Sequence, residues 1–175
     1  MLTSRKPIYA FIDSQNLNLG TGKDLRNKMG KVIYRGWKLD FRKFRVYLKD
    51  KFRVSKAFLF IGYIKGNERL YRNLKRWGYE LIFKPTVKDI SGKPKGNIDA
   101  ELVLYSAAIE YKNYDKAVIV SGDGDFFCLH EYLQKNNKLL RIVIPNLKSQ
   151  SSLLSKFQPL KTFLEYEKHK LEYKK

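Results

Sequence analysis

Five short segments, Ile8–Ile12, Ala57–Ile64, Glu80–Lys84, Ala117–Val120 and Leu139–Ile144, are apolar with little interruption, and that lack of alternation is the strongest constraint on the fold. A strand with one wet face alternates apolar and polar residues, so runs of this kind belong to strands covered on both sides, as in a parallel sheet. Stretches of helical period fill the gaps. Asp40–Phe52 sets Phe41, Phe44, Leu48 and Phe52 on one side, while Arg42, Lys43, Arg45, Lys49 and Lys51 point elsewhere. Asn67–Trp77 repeats the device with Leu70, Tyr71, Leu74 and Trp77, and Gly78 is placed to stop it. A third helix is expected over Ile98–Tyr111, burying Leu102, Tyr105 and Ile109, and a fourth from about Asp125 to Asn136. Strand and helix in alternation predict an α/β fold with a doubly wound sheet.

Two of the apolar runs stop abruptly at carboxylates: the first at Asp13, the fourth at Asp123 and Asp125 after Ser121-Gly122. Asp99 falls in the first turn of the third helix. Ligands of a parallel sheet bind beyond the carboxyl ends of its strands, where these side chains would meet. Carboxylates gathered there repel one another unless a hard cation that favours oxygen donors, such as Mg²⁺ or Mn²⁺, neutralises them. Asp125 has a competing structural role as the N-cap of the fourth helix. That role explains neither Asp123 nor Asp13. On the third helix Asp99 shares a face with Leu102, Val103 and Ser106, whereas Glu101 is turned roughly 200° away and is left out of the ligand set.

Net charge narrows the class of partner. The chain has 36 Lys and Arg against 17 Asp and Glu, a formal charge of +19 over 175 residues. A polyanion is the expected partner, drawn by phosphate contacts that carry no sequence preference. The loop over residues 85–97 brings Lys88, Lys93 and Lys95 toward Asp99, and Arg35–Arg53 forms a second basic region. In the latter Trp37, Tyr34 and Tyr47 are candidates to stack on unpaired bases, the alternative being that such aromatics serve the core. Cys128 is the only cysteine, which excludes a disulfide framework and a cysteine zinc site. It is expected to pack as a small buried hydrophobe, and His130 and His169 read as structural or surface residues. No signal peptide and no membrane span are expected, which points to the cytoplasm.

One domain is expected, followed by a charged tail over residues 164–175, with Glu165–Lys175 read as a frayed or solvated helix. Leu153, Leu154, Phe157, Leu160 and Phe163 are expected to form the last packing segment, broken at Pro159. A nucleotide-binding Rossmann enzyme is disfavoured because no Gly-x-Gly-x-x-Gly turn follows the first strand. A nucleophilic-aspartate phosphatase would want its Asp-x-Asp pair after strand one, where this chain has Asp13-Ser14-Gln15.

Three segments, Phe11-Ile12-Asp13-Ser14-Gln15-Asn16, Lys95-Gly96-Asn97-Ile98-Asp99 and Val120-Ser121-Gly122-Asp123-Gly124-Asp125-Phe126, together resemble the NYN domain, in the LabA-like branch of the PIN-like nuclease superfamily. The last is the most specific of the three. The resemblance covers about the first 145 residues. It implies a Rossmann-like three-layer α/β/α sandwich with a mainly parallel sheet, and a PIN-like NYN domain over residues 1–163. It also implies Mg²⁺- or Mn²⁺-dependent cleavage of RNA, with DNA as the other candidate substrate. Asp13, Asp99, Asp123 and Asp125 would be both catalytic residues and metal ligands. Asn16, Ser121 and Lys95 would position water or phosphate, and Arg35 and Lys38 would contact the substrate backbone. The competing expectation is an RNA-binding or regulatory module of the same fold without hydrolysis; oligomeric state cannot be read.

Overall fold

The computed structural model describes residues 7–84, 87–88, 94–95 and 99–174. In chain order the strands are β1 (Ile8–Asp13), β2 (Leu25–Arg26), β3 (Val32–Tyr34), β4 (Val54–Gly62), β5 (Tyr79–Lys84), β6 (Val87–Lys88), β7 (Pro94–Lys95), β8 (Lys116–Val120), β9 (Leu139–Ile144) and β10 (Lys161–Phe163). The α-helices are α1 (Ser14–Gly22), α2 (Phe41–Phe52), α3 (Glu68–Arg76), α4 (Asp99–Leu104), α5 (Phe127–Lys135) and α6 (Lys168–Leu171). Six strands form one sheet in the order β10, β9, β8, β1, β4, β5, and every neighbouring pair in it is parallel. The pairs β2 with β3 and β6 with β7 are small antiparallel ribbons outside it.

Both faces of the sheet are covered, as its apolar runs require. Ala10 and Ile12 of β1 face one core with Leu17 of α1, Phe44 and Leu48 of α2 and Leu74 of α3. Tyr9 and Phe11 face the other, with Leu102 of α4, Leu129 and Leu133 of α5 and Leu154 and Phe157. The result is a three-layer α/β/α sandwich. From β1 the chain steps to β4 and β5 on one side, and from β8 to β9 and β10 on the other. Chain progression therefore reverses between the adjacent strands β1 and β8, which opens a crevice beyond their carboxyl ends. Asp13 and Ser121 flank that crevice.

Several elements depart from the sequence reading. α1 goes unannounced because Ser14–Gly22 is largely polar and buries only Ser14, Leu17 and Thr21. The third helix is α4 followed by a π-helical turn, Tyr105–Ile109. A π turn is wider than an α turn and shifts the phase of the residues after it. Ile109 is accordingly exposed rather than buried, and Ser106 is enclosed. Leu70 and Leu153 are likewise exposed, although Tyr71 and Leu74 of α3 and Leu154 and Phe157 do pack inward. Cys128 lies on the outer side of α5 and is exposed, not buried.

The segment after residue 163 packs rather than frays. Leu164 and Leu171 are fully buried, Glu172 bridges to Leu39, and the Tyr173 N–H donates to the Lys38 carbonyl at 2.8 Å. Glu167 pairs with Lys51 of α2 and with Lys170, each at 2.8 Å. Among the described residues no helix is long and apolar enough to cross a membrane.

Candidate functional site

Asp13 closes β1 and caps α1 at once. Its Oδ1 accepts the Asn16 backbone N–H at 3.0 Å, which uses the extended geometry of a strand end to satisfy an orphan helix donor. Its Oδ2 accepts from the Ser121 hydroxyl at 3.3 Å, across the boundary between β1 and β8. The same Ser121 Oγ accepts the Asp123 N–H at 3.1 Å, so a single hydroxyl joins the first-strand carboxylate to the turn after β8. A second tie runs beside it: the Gly122 N–H donates to Asn16 Oδ1 at 2.8 Å. Asp123 Oδ1 accepts the Asp125 N–H at 3.0 Å and caps the 3₁₀ turn Gly124–Phe126 that leads into α5.

This network places a carboxylate where its charge is costly. Asp13 is only 3% exposed. Burial pushes its carboxyl up to about 6; the hydrogen bond from the Asn16 N–H pulls against that, and the negative charge of Asp99 adds to the rise. The bonds from Ser121 and from the Gln15 N–H oppose the shift more weakly. Asp99 thus stands near enough to Asp13 for their charges to repel. Hard oxygen donors in that relation suit Mg²⁺ or Mn²⁺, which take one or two carboxylates and fill the rest of their sphere with water. Among the described residues, however, no group of three His, Cys, Asp or Glu side chains is close enough to cage an ion.

The remaining sequence candidates divide. Asp125 is exposed on the 3₁₀ turn and does not cap the fourth helix: the N-cap of α5 is Phe126, and Asp123 caps the 3₁₀ turn that precedes it. Glu101 pairs with Lys84 at 3.3 Å. Lys95 lies in β7, but its side chain is outside the described residues, as are the side chains of Lys88 and Lys93. Arg35 and Lys38 are exposed on the connection from β3 to α2. That connection packs on the end of α1, where the Trp37 N–H donates to the Thr21 carbonyl at 2.8 Å. Trp37 itself is 4% exposed and belongs to the core, so it offers no stacking face. Tyr34 is tied to the Thr21 carbonyl at 3.2 Å, and Tyr47 packs edge-on against Phe52. Lys38 lies over the ring of Tyr173 at 4.5 Å.

Two residues of the rim escaped the sequence reading. Asn146 follows β9, is buried, donates from Nδ2 to the Gly20 carbonyl at 3.4 Å and accepts the Lys148 N–H at 2.7 Å. The Ser151 N–H donates to the Gly122 carbonyl at 3.0 Å and fastens residues 147–152 over the turn that holds Asp123. A signal for Asn146 existed: like Asp13, it is a polar residue that ends an apolar run, here Ile142–Pro145.

The match to a family model settles the lineage. The model of the NYN domain matches residues 7–160, nearly the whole chain. The chain belongs to the NYN domain family. NYN domains form part of the PIN-like nuclease superfamily. Among solved structures, a protein of unknown function from Vibrio parahaemolyticus RIMD 2210633 is similar at 22% identity with a TM-score of 0.66, covering 94% of this chain and 96% of that one. At that identity the likeness concerns the fold alone. No curated protein matches the chain.

Proposed function

We propose that this NYN domain is a divalent-metal-dependent ribonuclease that hydrolyses phosphodiester bonds at the crevice between β1 and β8. The observation that carries the reading is the buried Asp13 carboxylate, joined through Ser121 to the Asp123 turn and repelled by Asp99. Asp13, Asp99 and Asp123 are the residues that would hold Mg²⁺ or Mn²⁺, with Asp125 completing the set. The ion, when bound, supplies Lewis-acid stabilisation of charge on the phosphate. Assignment to the LabA-like branch rests on the segments Phe11–Asn16, Lys95–Asp99 and Val120–Phe126 taken together.

The chain's own groups have separable tasks. Ser121 fixes the orientation of the Asp13 carboxylate and the backbone of the opposing turn with one hydroxyl. Asn16 spends its Oδ1 on Gly122, which leaves its amide N–H groups to donate to a phosphate oxygen or to water. A carboxylate at the crevice takes the proton of the attacking water as the water oxygen bonds to phosphorus and the bond to the leaving oxygen breaks. Lys95 and the exposed Arg35 and Lys38 are assigned to phosphate charge along the bound strand.

A second reading, an RNA-binding or regulatory module of the same fold, draws on the lack of a preassembled three-residue cage among the described residues. One experiment separates the two. The purified chain is incubated with end-labelled single-stranded RNA in Mn²⁺ or Mg²⁺, beside chelator, Asp13→Asn and Asp123→Asn controls. The nuclease reading expects cleavage that chelation abolishes and that each substitution lowers by about 100-fold or more, the equivalent of about 3 kcal/mol of transition-state stabilisation. RNA retained without products, equally by the parent and both variants, would establish the binding module instead. Cleavage that survives in both variants would remove the proposed site.

A further inference from the structure

We infer that Tyr63 and Phe83, at the carboxyl ends of β4 and β5, form a stacking platform for an unpaired base of a single-stranded RNA whose phosphates run along the basic face of α3. The inference rests on the nuclease reading for its choice of nucleic acid, and it names the substrate class that reading leaves open.

The two rings stand out because they are aromatic and exposed to solvent. Tyr63 is 45% exposed and Phe83 is 37% exposed. They meet edge to face with centroids 5.7 Å apart, and both rest on Tyr71, whose ring lies 4.8 Å from Phe83 and 5.7 Å from Tyr63. Tyr71 is buried beneath them, and its hydroxyl accepts the Ile64 N–H at 2.8 Å. The Tyr63 hydroxyl donates to Glu68 Oε1 at 3.2 Å, and the same carboxylate oxygen accepts the Gly66 N–H at 3.0 Å. Hydrogen bonds and the ring beneath therefore hold the pair before any ligand arrives, which lowers the entropy that binding must overcome.

Position and charge identify the occupant. Phe60 pairs with Asp13 in the register of β4 on β1, and Tyr63 follows three residues later. Tyr63 is thus roughly 10 Å along and one strand, about 5 Å, across from Asp13, on the same rim of the sheet. Beside the rings Lys65, Arg69, Arg72, Lys75 and Arg76 are all exposed. Glu68 is the only acid of α3, and its Oε1 is taken by Tyr63 and Gly66. Protein interfaces exclude lysine from their centres, whereas single-stranded nucleic acid is bound by aromatic faces within a cationic groove. A duplex keeps its bases stacked on one another and offers no face to these rings.

The test measures binding of a fluorescent single-stranded RNA 12-mer, a blunt RNA duplex of the same sequence and a single-stranded DNA 12-mer to the Asp13→Asn chain, in which cleavage is removed. Tyr63→Leu and Phe83→Leu keep an apolar side chain over Tyr71 without an aromatic face. Each is expected to weaken single-strand binding roughly 5- to 150-fold, the range of one lost base stack, with little change for the duplex. The salt dependence should stay as steep as in the parent, because no phosphate contact is removed. Tyr63→Phe is expected to bind as the parent does. If that variant loses as much as Tyr63→Leu, the hydroxyl contact to Glu68 mattered rather than the ring, and the platform is wrong.

Unchanged single-strand binding in both leucine variants, with thermal melts showing them folded, likewise overturns the platform while leaving the nuclease reading intact. Metal-dependent cleavage absent in the native chain, with the single-strand preference present and lost in the leucine variants, would sustain the platform and remove the nuclease. DNA bound as tightly as RNA and equally sensitive to both leucine variants would show that stacking alone selects the strand; DNA left unbound would assign further contacts to the ribose. Either result supports the platform.

Discussion

At the scale of single residues, two buried titratable groups, Asp13 of the site and His130 of α5, act against stability. Asp13 is a buried carboxylate that faces the charge of Asp99. Asp13→Asn keeps an oxygen to accept the Asn16 N–H, turns an amide N–H donor toward the Ser121 hydroxyl in place of the second oxygen, and removes the charge. In the absence of divalent ions the variant should melt higher than the parent, by about 1–3 kcal/mol of added stability, while losing cleavage. Mn²⁺ should raise the melting temperature of the parent and not of the variant, since a ligand that binds only the folded state stabilises it. An unchanged parent melt across millimolar Mn²⁺ would count against the metal assignment. His130 makes a second case. It is fully buried, neither ring nitrogen has a hydrogen-bond partner among the described residues, and burial lowers its pKa to about 4 from 6.5. Above about 6.5 the residue is neutral folded and unfolded and contributes nothing to the slope. As pH falls from 6.5 to 4 only the unfolded chain takes up the proton, so stability drops by about 3 kcal/mol in that window and levels off below it. Denaturant melts of His130→Phe should lack this portion of the acid loss; identical slopes in the two proteins would refute it.

Elements were legible in the sequence where one pattern spoke alone. The five continuous apolar runs became five of the six strands of the main sheet because only a doubly covered strand permits them. β10 was not legible, since Lys161–Phe163 is too short to show any period. α1 was hidden because the residue that starts it is Asp13, read for its chemistry and not for its cap. The π turn after α4 is a departure from the 3.6-residue period itself, which no periodic template contains. Asp13, Ser121 and Asp123 stand out in the sequence because they end or follow apolar runs, whereas Asp99 is singled out by its place in the first turn of a helix and Asn16 by the family resemblance. The tie that residues 147–152 make to that site could not be named in advance, because it depends on a close approach of two turns. A β-carbon added at Gly124 would lie 2.4 Å from Ser151 Oγ and 3.0 Å from Ser151 Cβ. Gly124→Ala should therefore push residues 147–152 off the Asp123 turn, cost about 1–3 kcal/mol and reduce cleavage. Removing the opposing side chain as well, in the pair Gly124→Ala with Ser151→Gly, should recover most of both losses. Additive losses in that double-mutant cycle would show that the two residues do not press on each other.

On the scale of the whole molecule, the family match ends at residue 160, yet the chain goes on to pack residues 164–173 against α2 and the connection before it. Two forces compete to explain that docking, and their magnitudes decide between them. The ion pairs of Glu167 with Lys51 and Lys170 are short, and they hold the Glu167 carboxyl down to about 2, with Lys170 the larger cause. Both lysines are substantially exposed, so solvent screens the pairs and each is worth about 0–1 kcal/mol. Leu171 is 1% exposed and lies in the core cluster that contains Leu39, Phe44 and Leu48. Truncating a leucine so enclosed costs about 2–5 kcal/mol, from lost transfer energy and the cavity left behind. The alternation of Glu and Lys in Glu165–Lys175 concealed this in the sequence, because one buried leucine among charges has no visible period. Leu171→Ala should consequently lower stability several times more than Glu167→Gln, and added salt should weaken only the contribution of Glu167. Equal losses from the two substitutions in urea melts would make charge, not apolar burial, the force that holds the end of the chain to α2.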